Sequence, residues 1–262
     1  MSKLILKVLD RNDTTICEAS GEGFVDLVCK KEYEEGDKII LQTSEKNIHI
    51  NVQLDDALGK AQMFLKEDLS FEIPFGEKRF NRSAKIFSGN LHYLYAEEAT
   101  ESEVYAYRNL ALNQNDQHRE VGCYPHASAN VETRGESVFA AQNAIDGVRA
   151  NLWHGSWPWT SWGINRQADA EIKIDFGRTV WTDKIVLYTR ADFPHDSWWT
   201  QVTLHFSDGS SMDWELQKTN LAQVLEFEKK EISWIMMNQL IKADDESPFP
   251  ALTQLEVYGA DK

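Results

Sequence analysis

Residues Arg190 to Trp199, RADFPHDSWW, place a guanidinium, two carboxylates, an imidazole and two adjacent indoles within ten positions. Arg190 can donate two hydrogen bonds at once through its planar fork. Asp192 and Asp196 accept from hydroxyls, and His195 does either according to its tautomer. A second segment, HGSWPW from His154 to Trp159, joins an imidazole to Trp157 and Trp159, with Gly155 and Pro158 marking a stiff loop. A third, ADDESPFP over residues 243–250, sets acids and Phe249 among prolines. Such groups suit a polyhydroxylated ligand, whose C–H face lies on an aromatic ring while its hydroxyls meet fixed donors and acceptors. The same residues have a structural use: Arg190 pairs with Asp192 or Asp196 to hold the loop, and one indole plugs the core. Alternation along a strand then sends the two indoles to opposite sides, with Trp198 expected outside.

Catalysis is the second reading. His126, His154 and His195 each lie in a segment marked by Pro or Gly, near carboxylates. If those segments converge, they offer transition-metal ligands or acid–base groups, and a sugar-modifying enzyme would use His154, His195 and Asp196. None of the spacings forms a metal, nucleophile-elbow, phosphate-loop or dinucleotide motif. A third reading is a protein-interaction module that docks a partner through the tryptophan-rich loops.

The elements that must position these loops read as β-strands. Short alternating runs recur through the first hundred residues, at Leu4–Leu9, Gly23–Cys29, Lys38–Thr43, Ile48–Leu54, Ala61–Lys66 and Leu69–Phe75. Thr100-Glu101-Ser102-Glu103 has the form of a capping box, so Ala96 to Arg108 reads as a helical connector. Alternation resumes at Ala170–Phe176, Lys184–Arg190, Thr200–Phe206, Ser211–Leu216, Val224–Glu228, Ile232–Met236 and Thr253–Tyr258. All nine tryptophans lie at or after Trp153, which supports a cut near residue 108. The expected fold is all-β, with two β-sandwich domains, residues 1–108 of unassigned role and residues 109–262 carrying the loops.

A net charge of −15 disfavours nucleic acid and anionic membrane surfaces as partners. The apolar stretch Leu4–Leu9 is too short for a signal peptide core or a membrane span, and three cysteines at irregular spacing argue against a disulfide framework. A cytoplasmic protein is expected.

From Asn109 to Gly259 the motifs follow a recognisable order. Asn109-Leu110-Ala111, His126-Ala127-Ser128-Ala129, Ala144-Ile145-Asp146-Gly147 and Ile172-Lys173-Ile174-Asp175-Phe176-Gly177 come first. Ile185 to Arg190, Leu204 to Gly209 and Leu255-Glu256-Val257-Tyr258-Gly259 follow. This series resembles the discoidin or coagulation-factor C-terminal-like domains, and within them the galactose-binding family 32 carbohydrate-binding modules. The resemblance implies a jelly roll that binds a mono- or oligosaccharide through loops at one end. It places the loops that carry His154, Trp157, Trp159, Asp192, His195, Asp196 and Trp198 at that end, where their chemistry suits ligand contact, and sets Arg190 where many sugar-binding relatives carry an arginine that contacts hydroxyls. It also implies a structural calcium ion held by Asn143, Asp146, Asn151 (or Val148), Leu255 and Glu256, through hard oxygens of the kind calcium selects. This chain departs from the family pattern with Val148-Arg149-Ala150 after the Asp-Gly turn, which brings a cationic side chain to the place of a cation. The alternative at this turn has no metal, and Asp146 caps its own backbone.

Overall fold

In the first strand, β1 (Lys3–Leu9), Leu4, Leu6 and Val8 are fully buried while the residues between them face outward, the two-residue period of a half-buried strand. The computed structural model describes residues 1–118 and 122–262. After β1 come β2 (Thr15–Glu22), β3 (Phe24–Cys29), β4 (Lys38–Thr43), β5 (Ile48–Gln53), β6 (Ala61–Leu65), β7 (Leu69–Glu72) and β8 (His92–Glu98). One sheet runs β2-β1-β4-β7, and a second contains β6-β5-β8-β3. Leu4, Leu6, Ile39, Leu41, Ile50, Met63 and Phe71 form the core of this unit.

Two elements here differ from the expectation. β2, with the weakly patterned sequence TICEASGE, is a strand because it borders β1 along its whole length. The connector expected to be helical from Ala96 is instead strand as far as Glu98. β8 has partners on both sides, β3 and β5, and buries Leu94 and Ala96. Only α1 (Glu101–Val104) is helical, a single turn with the Thr100–Glu103 capping box formed.

The second unit contains β9 (Arg108–Asn109), β10 (Cys123–Tyr124), β11 (His126–Ala129), β12 (Trp162–Gly163), β13 (Ile172–Thr189), β14 (Trp199–Phe206), β15 (Ser211–Glu215), β16 (Gln223–Lys242) and β17 (Ala251–Asp261). The sheet order is β12-β17-β13-β16-β14-β15, with β11 on β13 and β9 on β17. β13 and β16 each join two segments that read as separate strands in the sequence. Bulges between Asp175 and Val180 and between Thr182 and Lys184 bend β13, so the sheet wraps over one core centred on Trp162, Trp199, Phe176 and Phe206. Gly259 is required by close approach: a Cβ there would lie 1.8 Å from the Trp181 carbonyl oxygen of β13. The whole architecture is all-β sandwich, and among the described residues no helix is long and apolar enough to cross a membrane.

The two units are joined by more than the chain. β10 leaves the second unit to pair with β6, and Cys123 is buried in the first core. Beside this pairing, Arg108, Arg178 and His49 converge on Asp261, with Nη2 of Arg108 and Nη2 of Arg178 at 2.9 and 2.8 Å from its Oδ2. Burial by itself raises this carboxyl, but the hydrogen bonds from Arg178 and His49 and their charges hold it well below the usual carboxylate range. A carboxyl depressed in the folded state contributes stability at neutral pH that is lost as pH falls through the acid range. Asp261→Asn should therefore cost about 1–3 kcal/mol at neutral pH. The gap from the parent, read by urea unfolding, should close as the pH is lowered.

Candidate functional site

The last residue of β13 hands the chain to Arg190, and three loops meet there. The Arg190 N–H donates to the Ala251 carbonyl at the start of β17, and the Ala191 N–H donates to Asn151. Arg190 is buried, and its Nε and Nη2 donate to Oδ1 of fully buried Asp196 at 2.8 and 2.6 Å. The other Asp196 oxygen accepts the Asp192 N–H at 2.9 Å, which closes the 190–196 loop on itself. Ser247 Oγ donates to the His195 carbonyl at 2.5 Å and fastens the 243–250 loop to the same point.

On this frame four rings stack in sequence. Trp153 lies on His154 with centroids 5.8 Å apart, and His154 lies on His195 at 3.9 Å with planes only 4° apart. His195 in turn lies 5.4 Å from Phe249. The Arg166 guanidinium lies 4.8 Å from the Phe249 ring centre. Each imidazole turns Nδ1 to a carboxylate, His154 to Asp192 at 2.6 Å and His195 to Asp196 at 3.1 Å. The carboxylates thereby orient both rings.

These groups border a cavity of about 500 Å³. Its lining interleaves apolar groups, Phe139, Ile164 and the Pro248-Phe249-Pro250 run, with His154, His195, Arg190, Arg134, Arg166 and Thr133. Such a mixture, with the polar groups held by partners behind them, is the usual lining of a small-molecule site.

Of the residues expected to contact ligand, His154, Arg190 and His195 line this cavity. Asp192 and Asp196 stand behind them as their partners and are committed to that task. Trp157 and Trp159 are not among the lining residues. Both are exposed, and the Trp157 N–H donates to the Phe80 carbonyl of the first unit, which fixes this turn toward the unit boundary. Trp198, expected outside, is half-buried, because its carbonyl takes the Ala243 N–H and the 243–250 loop lies against it. Trp199 is fully buried. The acids of the third loop also stay out of the cavity lining, with Asp245 paired to Lys242. Sequence reasoning missed Arg134, Phe139, Ile164 and Arg166. They come from connections without periodic pattern, and no local signal marks them.

The three potential ligand groups His154, Asp192 and His195 lie within 4.8 Å of one another. Two imidazoles stacked face to face direct their in-plane lone pairs in parallel, whereas a metal requires them to converge. Asp192 is already engaged by His154. The arrangement is a stack buttressed by carboxylates.

The residues that the resemblance assigns to calcium do not fit that ion. The Gln254 side-chain amide stands where a cation would, with Nε2 at 2.6 Å from the Asn143 carbonyl and 2.7 Å from the Asp146 carboxylate. Asp146 caps its own turn by accepting the Val148 N–H. Burial, opposed by that bond, by the charge of Arg82 and by Gln254, raises its carboxyl to about 7. Arg149 pairs with Glu256 at 2.5 Å, Asn151 spends its amide on the Thr189 and Asn220 carbonyls, and Leu255 lies in the β13–β17 ladder. Amide and guanidinium hydrogens take the Asn143, Asp146 and Glu256 oxygens that a cation needs.

Comparison with curated protein sequences returns no match. Residues 123–248 match the model of a domain of unknown function, DUF7402. Among solved structures the chain is similar to the family 32 carbohydrate-binding module from C. perfringens NanJ in complex with galactose, at 21% identity over 50% of this chain and 91% of that one, with a TM-score of 0.37. It is similar to chitosan-binding module 1 of a chitosanase/glucanase from Paenibacillus sp. IK-5, at 20% identity over 58% of this chain and 98% of that one, with a TM-score of 0.37. A third is the lectin domain of lectinolysin complexed with Lewis B antigen, at 18% identity over 58% and 96% of the two chains, with a TM-score of 0.42.

Proposed function

We propose that the second unit binds a mono- or oligosaccharide in the cavity between the His154, Arg190–Trp199 and 243–250 loops. The observation that carries this reading is the meeting of an apolar wall, Phe139, Ile164 and Phe249, with immobilised donors on His154, His195 and Arg190 in one cavity. A sugar presents the same two surfaces, C–H patches and hydroxyls. The donors are held in place before the ligand arrives by Asp192 and Asp196, so little conformational freedom is lost on binding. Catalysis finds less support, because both nearby carboxylates are spent on orienting Arg190 and the imidazoles.

Affinity should be modest. A single hexose at about 0.3 kcal/mol per heavy atom gives a Kd on the order of 1 mM. Titration of the intact protein with a glycan panel, followed by NMR, should show saturable binding without conversion of the ligand. Phe249→Ala removes the apolar wall and should weaken binding about tenfold. Absence of saturable binding across neutral and charged glycans would sink the proposal.

A cytoplasmic setting belongs to the same proposal and is supported by the thiols. Cys17 and Cys29 form no disulfide, and burial pushes the Cys17 and Cys123 thiols up to about 12, which leaves them protonated at neutral pH.

A further inference from the structure

We infer that the saccharide this cavity takes is an acidic one, carrying a carboxylate on the sugar ring. The inference rests on the saccharide reading of the same cavity. It starts from a reversal of charge. The chain carries 42 acidic against 27 basic residues, yet the cavity lining contains Arg134, Arg166 and Arg190 with His154 and His195, and no Asp or Glu.

The acids that balance these groups lie behind them. Glu136 pairs with Arg134, Asp192 with His154, and Asp196 with both Arg190 and His195. Nitrogen-bearing side chains thus line the cavity, and the carboxylates paired with them are not among its lining. An anion entering the cavity meets the donors first, and a neutral sugar gains less from the same field.

Arg166 breaks even this local balance. Among the described residues it makes no ion pair, although acids outnumber bases throughout the chain. Its guanidinium lies over Phe249 at the cavity wall. The backbone brings it there at some expense: Asn165 and Arg166 are consecutive residues in the left-handed region, with φ of 49° and 60°. Asn tolerates that conformation, whereas a long side chain like that of Arg does not adopt it readily. The turn is held by the Asn165 N–H on Thr133 Oγ1 at 3.0 Å and the Gln167 N–H on the Ile164 carbonyl at 2.8 Å. A planar fork with free donors, placed beside an apolar wall, matches a carboxylate attached to a pyranose ring.

The test uses the intact protein and matched pairs of ligands, each uronate with its parent hexose in the gluco, galacto and manno series, measured by calorimetry or NMR. The expected result is a uronate bound about tenfold or more tightly than its hexose in at least one series. That preference should shrink severalfold as sodium chloride rises, because the contact at Arg166 is exposed and screened. Arg166→Gln should bring the uronate down to the affinity of the hexose, and Arg166→Lys should keep part of the preference. Arg166 is exposed and makes no ion pair among the described residues, so both variants should keep the parent melting temperature. A hexose 6-sulfate distinguishes the source of the anion, and binding it in preference to every uronate overturns the carboxylate assignment. Equal affinity for acid and parent hexose, or a preference that survives Arg166→Gln, overturns the inference while leaving the saccharide reading intact. No binding of any member of any pair overturns both.

Discussion

Asp196→Ala should destabilise the protein by about 3–5 kcal/mol, because it strands a buried guanidinium without a counter-ion. Arg190 and Asp196 are both buried, and one Asp196 oxygen accepts two Arg190 hydrogen bonds while the other caps the Asp192 N–H. The loss therefore combines an unpaired charge with an opened loop. Arg190→Met by itself leaves the carboxylate in the same position and should cost a similar amount. The double variant Arg190→Met/Asp196→Leu removes both charges, and its cost should fall well short of the sum of the two single costs. Urea unfolding of the four proteins closes this cycle. Additive costs would show that the two groups do not act as a pair. Ligand binding should fail in both single variants, since the same pair holds His195 and the 243–250 loop in place.

Trp199→Ala should cost about 3–5 kcal/mol, while Trp198→Ala, one position earlier, should cost about 1 kcal/mol. Trp199 is fully buried and packs against Trp162 with ring centroids 6.5 Å apart, so truncation opens a cavity at the centre of the second core. Trp198 is half-buried on the other side of the chain. Chemical denaturation of the two variants side by side gives the comparison, and equal losses would mean that the alternation at the start of β14 is misassigned.

Much of the fold was legible because strand alternation is local. Leu4, Leu6 and Val8 announce β1 from the sequence, and one buried indole in the Trp198-Trp199 pair follows from the same two-residue period. β8 was not legible, because its ladders to β3 and β5 join residues distant in sequence, and those partners outweigh the capping signal that follows at Thr100. The continuity of β13 and β16 was hidden for a similar reason. The polar residues that interrupt them sit at bulges, where pairing shifts but does not end.

The candidate site divides along the same line. His154, Arg190 and His195 could be named from residue type alone, since few side chains combine such donors with neighbouring aromatics. Which acids serve as partners and which face ligand could not be named, because Asp192 and Asp196 are chemically alike until their distances to Arg190 and His154 are known. Arg166 and Phe139 gave no signal, as they reach the cavity only through the packing of separate loops. The misfit of the assigned residues to calcium turns on a residue that the motif does not include. Gln254 lies next to the motif residue Leu255, and only the inward direction of its amide shows that it bonds to the Asn143 carbonyl and the Asp146 carboxylate.

By itself the sequence determined an all-β chain, two cores and loops rich in side chains suited to a candidate site, because periodicity and residue chemistry are local properties. The tertiary structure decided which loops meet, which charges cancel inside the protein and which line the cavity, because these depend on distances between residues that the chain holds far apart.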